Sequence, residues 1–212
     1  MLFRTREEAG RLTAGLLEHY RNAPDTVVVA LPRGGVPVGA AIARELHLPL
    51  DIFFVKKIPS PYNEEVGIGA VSENGLIRID NRAVELLGVS EAYLRRKAEE
   101  KLRQMRQKRA LYGRPVAEFA GKSVILTDDG IATGSSMLLA AEALRRAGVT
   151  RVIIAVPVAP VELLPALESV ADEVHVYHPD PQLMAVGRFY EDFHQLEDAE
   201  VVELLARTGG EE

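Results

Sequence analysis

Apolar residues fall along this chain in two alternating rhythms. Some form short runs of branched side chains; others recur every three or four positions over longer stretches. The first rhythm marks buried strands and the second marks helices with one face on a core. "TVVVAL" (Thr26 to Leu31), bounded by Pro24 and Pro32, reads as a strand. Leu50 to Val55, Ser123 to Thr127, Arg151 to Val156 and Glu173 to Tyr177 repeat the signal. Helices are expected between them: "VGAAIARELH" after the first strand, Ser135 to Ala147 stopped by Gly148, and Val161 to Val170. A further helix should open the chain and run to about Tyr20. Its start, Thr5-Arg6-Glu7-Glu8, reads as a capping box, in which the Thr5 hydroxyl accepts the Glu8 amide and the Glu8 side chain reaches back. Strand-helix alternation of this kind predicts an α/β fold, a mostly parallel sheet covered on both faces.

The middle of the chain breaks the alternation. Asn74-Gly75 between two apolar stretches is a hairpin signal. Residues 81–112 are expected to be helical, with a break near Gly88 and Ser90 capping the second helix. Leu94, Ala98, Leu102, Met105 and Tyr112 share one side of it. Arg95, Arg96, Lys97, Lys101, Arg103, Arg106, Lys108 and Arg109 crowd the rest, and the favoured reading is a solvated face. The sharper one is an electropositive lid or a nucleic-acid surface. The net charge of −6 argues against a dedicated nucleic-acid binder. At 212 residues with 47% hydrophobic content, the chain is read as one domain over 1–212, with an insertion at about 60–114. No apolar run is long enough to span a membrane. The absence of cysteine excludes disulfides and thiolate metal sites, and a cytoplasmic protein is expected. His19, His47, His175, His178 and His194 show no metal-ligand spacing.

The chemistry concentrates in "VILTDDGIATGSS", Val124 to Ser136. A strand ends at Thr127, two acids follow, and a helix begins near Ser135. Ligands of open α/β sheets bind beyond the carboxyl ends of strands. Ala132, Thr133, Gly134 and Ser135 are small enough for their amides to approach an anion, and a helix N-terminus adds a favourable dipole. Hydroxyls of Thr133, Ser135 and Ser136 add donors. Asp128 and Asp129 would repel an anion placed on them, but they suit hydroxyl donors a few ångströms away. A sugar phosphate presents both groups. A Walker-type loop would need Lys where Ser135 stands, and the spacing of a dinucleotide fingerprint is lacking. A phosphatase or receiver using Asp128 or Asp129 would want a partner lysine or a second acidic cluster, and none is evident.

The same stretch resembles the ribose-phosphate signature of type I phosphoribosyltransferases. "ALPRGGVPVGAAIA" (Ala30 to Ala43) resembles that family's pyrophosphate loop, in the matching order along the chain. The resemblance implies a parallel sheet of about five strands, with a small hood here built from the N- and C-terminal segments. It implies exchange of the pyrophosphate of 5-phosphoribosyl 1-pyrophosphate for a nitrogen base, with Mg²⁺ bound mainly through the substrate, and a homodimer. Carried onto this sequence, Asp128 and Asp129 would hold the ribose hydroxyls, and Gly130, Ile131, Ala132, Thr133, Gly134, Ser135 and Ser136 would wrap the 5-phosphate. Arg33, Gly34 and Gly35 would hold pyrophosphate, with a non-proline cis peptide at Pro32–Arg33. Asp128, Asp129 and Arg33 are the expected catalytic set.

Lys56 is a further pyrophosphate candidate and Arg78 a weaker one. Phe189 and Tyr190 are candidates to stack on the base, and "AVGRFYEDF" resembles the tail of a bacterial phosphoribosyltransferase-like group. Family members acting on 6-oxopurines place Asp directly before the Thr-Gly; Ala132 stands there, which argues against such a base. The alternative is a non-catalytic regulator that senses a nucleotide or ribose phosphate and binds nucleic acid through the basic helix.

Overall fold

Every junction of the main sheet is parallel, and the chain order of its strands shows how it is wound. The computed structural model describes residues 2–115 and 118–208. Strands β1 (Thr26–Ala30), β2 (Leu50–Ile52), β6 (Ser123–Thr127), β7 (Arg151–Pro160) and β8 (Glu173–Asp180) lie in the order β2-β1-β6-β7-β8. Between β2 and β6 the chain forms a second, three-stranded antiparallel sheet of β3 (Val55–Pro59), β4 (Gly67–Ser72) and β5 (Ile77–Ile79). Helices α1 (Arg6–Ala14), α2 (Gly35–Leu46), α3 (Asn81–Leu87), α4 (Glu91–Leu111), α5 (Ser135–Arg146), α6 (Leu164–Glu168) and α7 (Asp198–Thr208) complete the fold. Strand β1 is buried throughout, as a strand covered on both faces must be.

The stretch Leu50 to Val55, expected as one strand, is split between the two sheets. Strand β2 stops at Ile52, and the Phe53 amide still reaches the Ala30 carbonyl at 3.0 Å. Phe53 then packs near Phe119 in one core cluster, while Phe54 packs near Tyr112 in the other. Two adjacent aromatics anchored in different cores force the turn between sheets. The first helix likewise ends early: a 3₁₀ segment, Gly15–Tyr20, completes it. Thr5 accepts the Glu8 amide as expected, but the Glu8 carboxylate reaches one residue further back, to the Arg4 amide. Strand β7 runs past Pro157 to Pro160, leaving only a 3₁₀ turn (Val161–Leu163) and the short α6 where a ten-residue helix was expected.

Asn74-Gly75 does turn the β4–β5 hairpin, with Gly75 at φ +89°. Asn74 Nδ2 also donates to the Ala143 carbonyl at 3.0 Å, tying the hairpin to α5. Helix α4 buries Ala98 and Met105, and Tyr112 just beyond its end is buried too. It also buries Arg109, which the sequence placed on a solvated face. That guanidinium meets Glu73 at 3.1 Å, Asp51 at 3.3 Å and the Ile52 carbonyl at 2.8 Å, so α4 is riveted to both sheets by one cation. Among the described residues, no helix is long and apolar enough to cross a membrane.

Candidate active site

The two sequence motifs meet at the carboxyl end of the main sheet. Asp128 and Asp129 follow β6 directly, and the Pro32–Arg33-Gly34-Gly35 loop follows β1, its hydrogen-bonded neighbour. The Leu31 amide donates to the Thr127 carbonyl at 3.0 Å, which locks the two loops side by side. The Pro32–Arg33 peptide is cis. A Cβ on Gly34 would lie 2.1 Å from Asp129 Oδ2, and one on Gly35 would lie 2.9 Å from Asp128 Cα. Only glycine lets these backbones approach so closely.

Beyond the acids, Gly134 takes φ +77° and starts α5. That left-handed turn is what glycine supplies at low cost. Ala132, Thr133, Ser135 and Ser136 lie along this turn and are all exposed, so the helix N-terminus is accessible, as an anion cradle requires. Ile131 faces inward instead; its side chain is buried and its amide donates to the Val158 carbonyl at 2.9 Å. It anchors the loop.

The acids are not equivalent. Asp128 Oδ1 accepts the Asp129 amide at 2.8 Å. Asp129 Oδ2 accepts Nε of Arg6 at 2.8 Å, and Arg6 also donates to the His194 carbonyl at 3.0 Å. The Arg6 guanidinium lies 3.9 Å from the centre of the Phe193 ring. Desolvation, and then the charge of Asp129, push the Asp128 carboxyl well above its ordinary range. Desolvation also raises Asp129, with Arg6 opposing. An open cavity of about 320 Å³ runs beside this pair, lined by Arg6, Arg33, Gly34, Asp129, Phe193 and His194. Arg6 has no signal in the sequence: it reads there as the interior of a capping box.

A second group of charges adjoins Arg33. Its guanidinium lies 3.9 Å from Asp198, the first residue of α7. Asp198 also pairs with Lys108 and accepts the Tyr112 hydroxyl at 2.8 Å. Lys56, half-buried on β3, feels the charges of Lys101, Lys108 and Arg33; burial and these neighbours lower its proton affinity. Arg78 lies elsewhere, paired with Glu142 on α5 at 3.0 Å.

The aromatic candidates are occupied. Tyr190 is buried between Phe3 and Phe193, with ring centres 5.2 and 5.1 Å away, and its hydroxyl donates to the Asp129 carbonyl at 2.6 Å. Its side chain is almost fully buried, packed against these rings rather than open to solvent. Phe189 packs beside His178, ring centres 5.6 Å apart. Phe3 and Tyr190 form an isolated parallel bridge, so the N- and C-terminal segments close together over the acids.

The fold is a parallel α/β sheet with paired acids and a small-residue loop at its carboxyl edge, and comparison with known proteins narrows the class to which it belongs. The sequence matches the phosphoribosyl transferase domain family over residues 3–176, and the chain belongs to that family. It is 36% identical over 211 residues to a Mycobacterium tuberculosis protein named "Putative phosphoribosyl transferase", found in two strains. That match takes in 98% of this chain and 47% of the relative, so the chain spans about half the length of the curated relatives it matches. Among solved structures it is similar to TT1426 from Thermus thermophilus, at 37% identity and a TM-score of 0.79, covering 98% of this chain and 99% of that one.

Proposed function

We propose that this chain is a phosphoribosyltransferase that binds 5-phosphoribosyl 1-pyrophosphate and exchanges its pyrophosphate with a nitrogen base. The observation that carries the reading is the packing of the Arg33-Gly34-Gly35 loop onto Asp128 and Asp129, beside the Thr133–Ser136 turn. A diol-binding pair and two anion-binding loops share one sheet edge, in the arrangement that this substrate presents.

In this reading Asp128 and Asp129 accept the ribose hydroxyls, each such bond to a charged acceptor contributing roughly 1.5–3 kcal/mol. Amides and hydroxyls of Ala132 to Ser136 take the 5-phosphate. Arg33, with the Gly34 and Gly35 amides and Lys56, takes the pyrophosphate. Cleavage of the glycosidic bond leaves positive charge on the ribose ring and negative charge on the pyrophosphate. The carboxylates face the first, and the preorganised cations face the second. Mg²⁺ supplies neutralisation of the leaving group in chemistry of this kind. The protein donor set fits an ion held chiefly by substrate oxygens: Asp129 Oδ2 is engaged by Arg6 and Asp128 Oδ1 by an amide. A nucleic-acid role for α4 has less support, because Arg95, Lys97, Lys108 and Arg109 are each paired with a carboxylate.

The test is a panel of purine and pyrimidine bases with 5-phosphoribosyl 1-pyrophosphate and Mg²⁺, followed by pyrophosphate release. Release dependent on one base, abolished by Asp128→Asn with Asp129→Asn, is expected. Absence of release with every base, together with tight RNA or DNA binding, would replace this reading with that of a regulator.

A further inference from the structure

Away from the ribose-phosphate motifs, three residues distant in sequence converge. His19 comes from the 3₁₀ segment after α1; Glu173 and His175 begin β8. Alternate residues of a strand share one face, so Glu173 and His175 project together. Glu173 Oε2 lies 3.0 Å from His175 Nε2 and 3.7 Å from His19 Nε2. The three donor atoms all lie within 4.8 Å of one another. The other carboxylate oxygen, Oε1, is already engaged by the Tyr20 hydroxyl at 2.8 Å and by Arg151. Glu173 is therefore held in place through one oxygen, while the other faces two imidazoles.

From this geometry we propose a binding site for a divalent transition-metal ion, represented by Zn²⁺, with His19, Glu173 and His175 as ligands. Zn²⁺ binds imidazole nitrogen and carboxylate oxygen at about 2.0–2.2 Å, which puts tetrahedral neighbours roughly 3.2–3.6 Å apart. The observed 3.0 and 3.7 Å separations bracket that range. The donor set, two imidazoles and a carboxylate, suits this class of ion and not a hard cation such as Mg²⁺ or Ca²⁺, which takes oxygen. His19 is 57% exposed, so an ion can reach the site from solvent and keep a fourth position open to water. Tyr20 and Arg151 act behind Glu173, the hydrogen-bonded support that metal ligands ordinarily have.

The consequence is a clamp. The ion joins the N-terminal helical segment to the edge strand of the sheet, and the same segment carries Arg6 to Asp129. Metal binding to the folded state alone raises the unfolding temperature with ion concentration. The site stands apart from the ribose-phosphate motifs, so failure of the proposed activity leaves it untouched.

The experiment is calorimetric titration of Zn²⁺ into the untagged, chelator-stripped protein at pH 7.5, with thermal unfolding in parallel. One equivalent per chain is expected, at a dissociation constant of about 10 µM or tighter. His19→Ala and His175→Ala should each weaken it by about tenfold or more, while His178→Ala, outside the cluster, leaves it unchanged. His19 is exposed, so its variant keeps the test informative even if the His175 variant is poorly folded. No saturable heat, or equal binding by the His19 and His178 variants, would overturn the proposal.

Discussion

Arg6 and Asp129 stand 123 positions apart in sequence, yet Nε of one and Oδ2 of the other are hydrogen-bonded at 2.8 Å. The pair is largely shielded from water, with side-chain exposures of 9% and 15%. Removing one member leaves the other charge uncompensated, which typically costs ~3–5 kcal/mol. Arg6→Met is therefore expected to lower the unfolding temperature by about 10 °C for a chain of this size. Arg6→Met combined with Asp129→Asn should recover most of that loss, because the two changes share one interaction. Thermal unfolding of the four proteins of the cycle checks it; additive losses would show that the pair is not coupled.

Asp128 carries the opposite balance. Its carboxyl is pushed up by desolvation and by the charge of Asp129. Between its ordinary value and the raised one, the folded chain binds more protons than the unfolded chain, so stability falls as pH rises through that window. Wherever Asp128 is ionised, its buried charge burdens the fold. Asp128→Asn should raise stability by ~1 kcal/mol at pH 7.5 and do so less at pH 4, as thermal unfolding at both pH values will read. The same variant combined with Asp129→Asn should weaken ribose 5-phosphate far more than inorganic phosphate in calorimetry. Equal loss of both ligands would contradict the division between acids and loop.

Glu73 titrates in the core. Burial pushes its carboxyl up to about 7, against the pull of Arg109. The sign is the same as for Asp128. The stabilising proton is held below pH 7 but is already lost by the unfolded chain above about 4.5, so stability declines as pH climbs from about 4.5 to about 7. Glu73→Gln keeps the shape and removes the titrating group, leaving one oxygen in place of the two that face Arg109. Unfolding free energies measured across that window should lose a slope amounting to ~1–3 kcal/mol; an unchanged slope would assign it to another group.

Arg33 is exposed enough to meet a ligand, and among the described residues its guanidinium is paired only with Asp198, at 3.9 Å. Arg33→Ala should weaken pyrophosphate by roughly 10- to 100-fold, the loss of a charge-assisted hydrogen bond, with little effect on ribose 5-phosphate. Titration of each ligand into the variant decides it, and unchanged pyrophosphate affinity would remove Arg33 from the site.

The strand runs, the Asn74-Gly75 turn, the Ser90 cap and the acid-loop motif were legible because each is a local property, set by backbone preference or by side chains within a few positions. What nonlocal packing decides was not. The Leu50–Val55 run divides between two sheets because Phe53 and Phe54 enter different cores, a choice that alternation cannot express. Arg109 looked like one more surface cation until α4 laid it against Glu73 and Asp51.

By itself, then, the sequence determined the parallel α/β order and the placing of Asp128 to Ser136 at a strand's end, since periodicity and small-residue turns are written in neighbouring residues. Only the tertiary structure decided that Arg6 would neutralise Asp129, that Tyr190 would be sealed between Phe3 and Phe193, and that His19 would face Glu173 and His175. Those contacts arise when distant segments are buried together. A charge or ring reveals its partner only after desolvation makes an unpaired one too costly to keep.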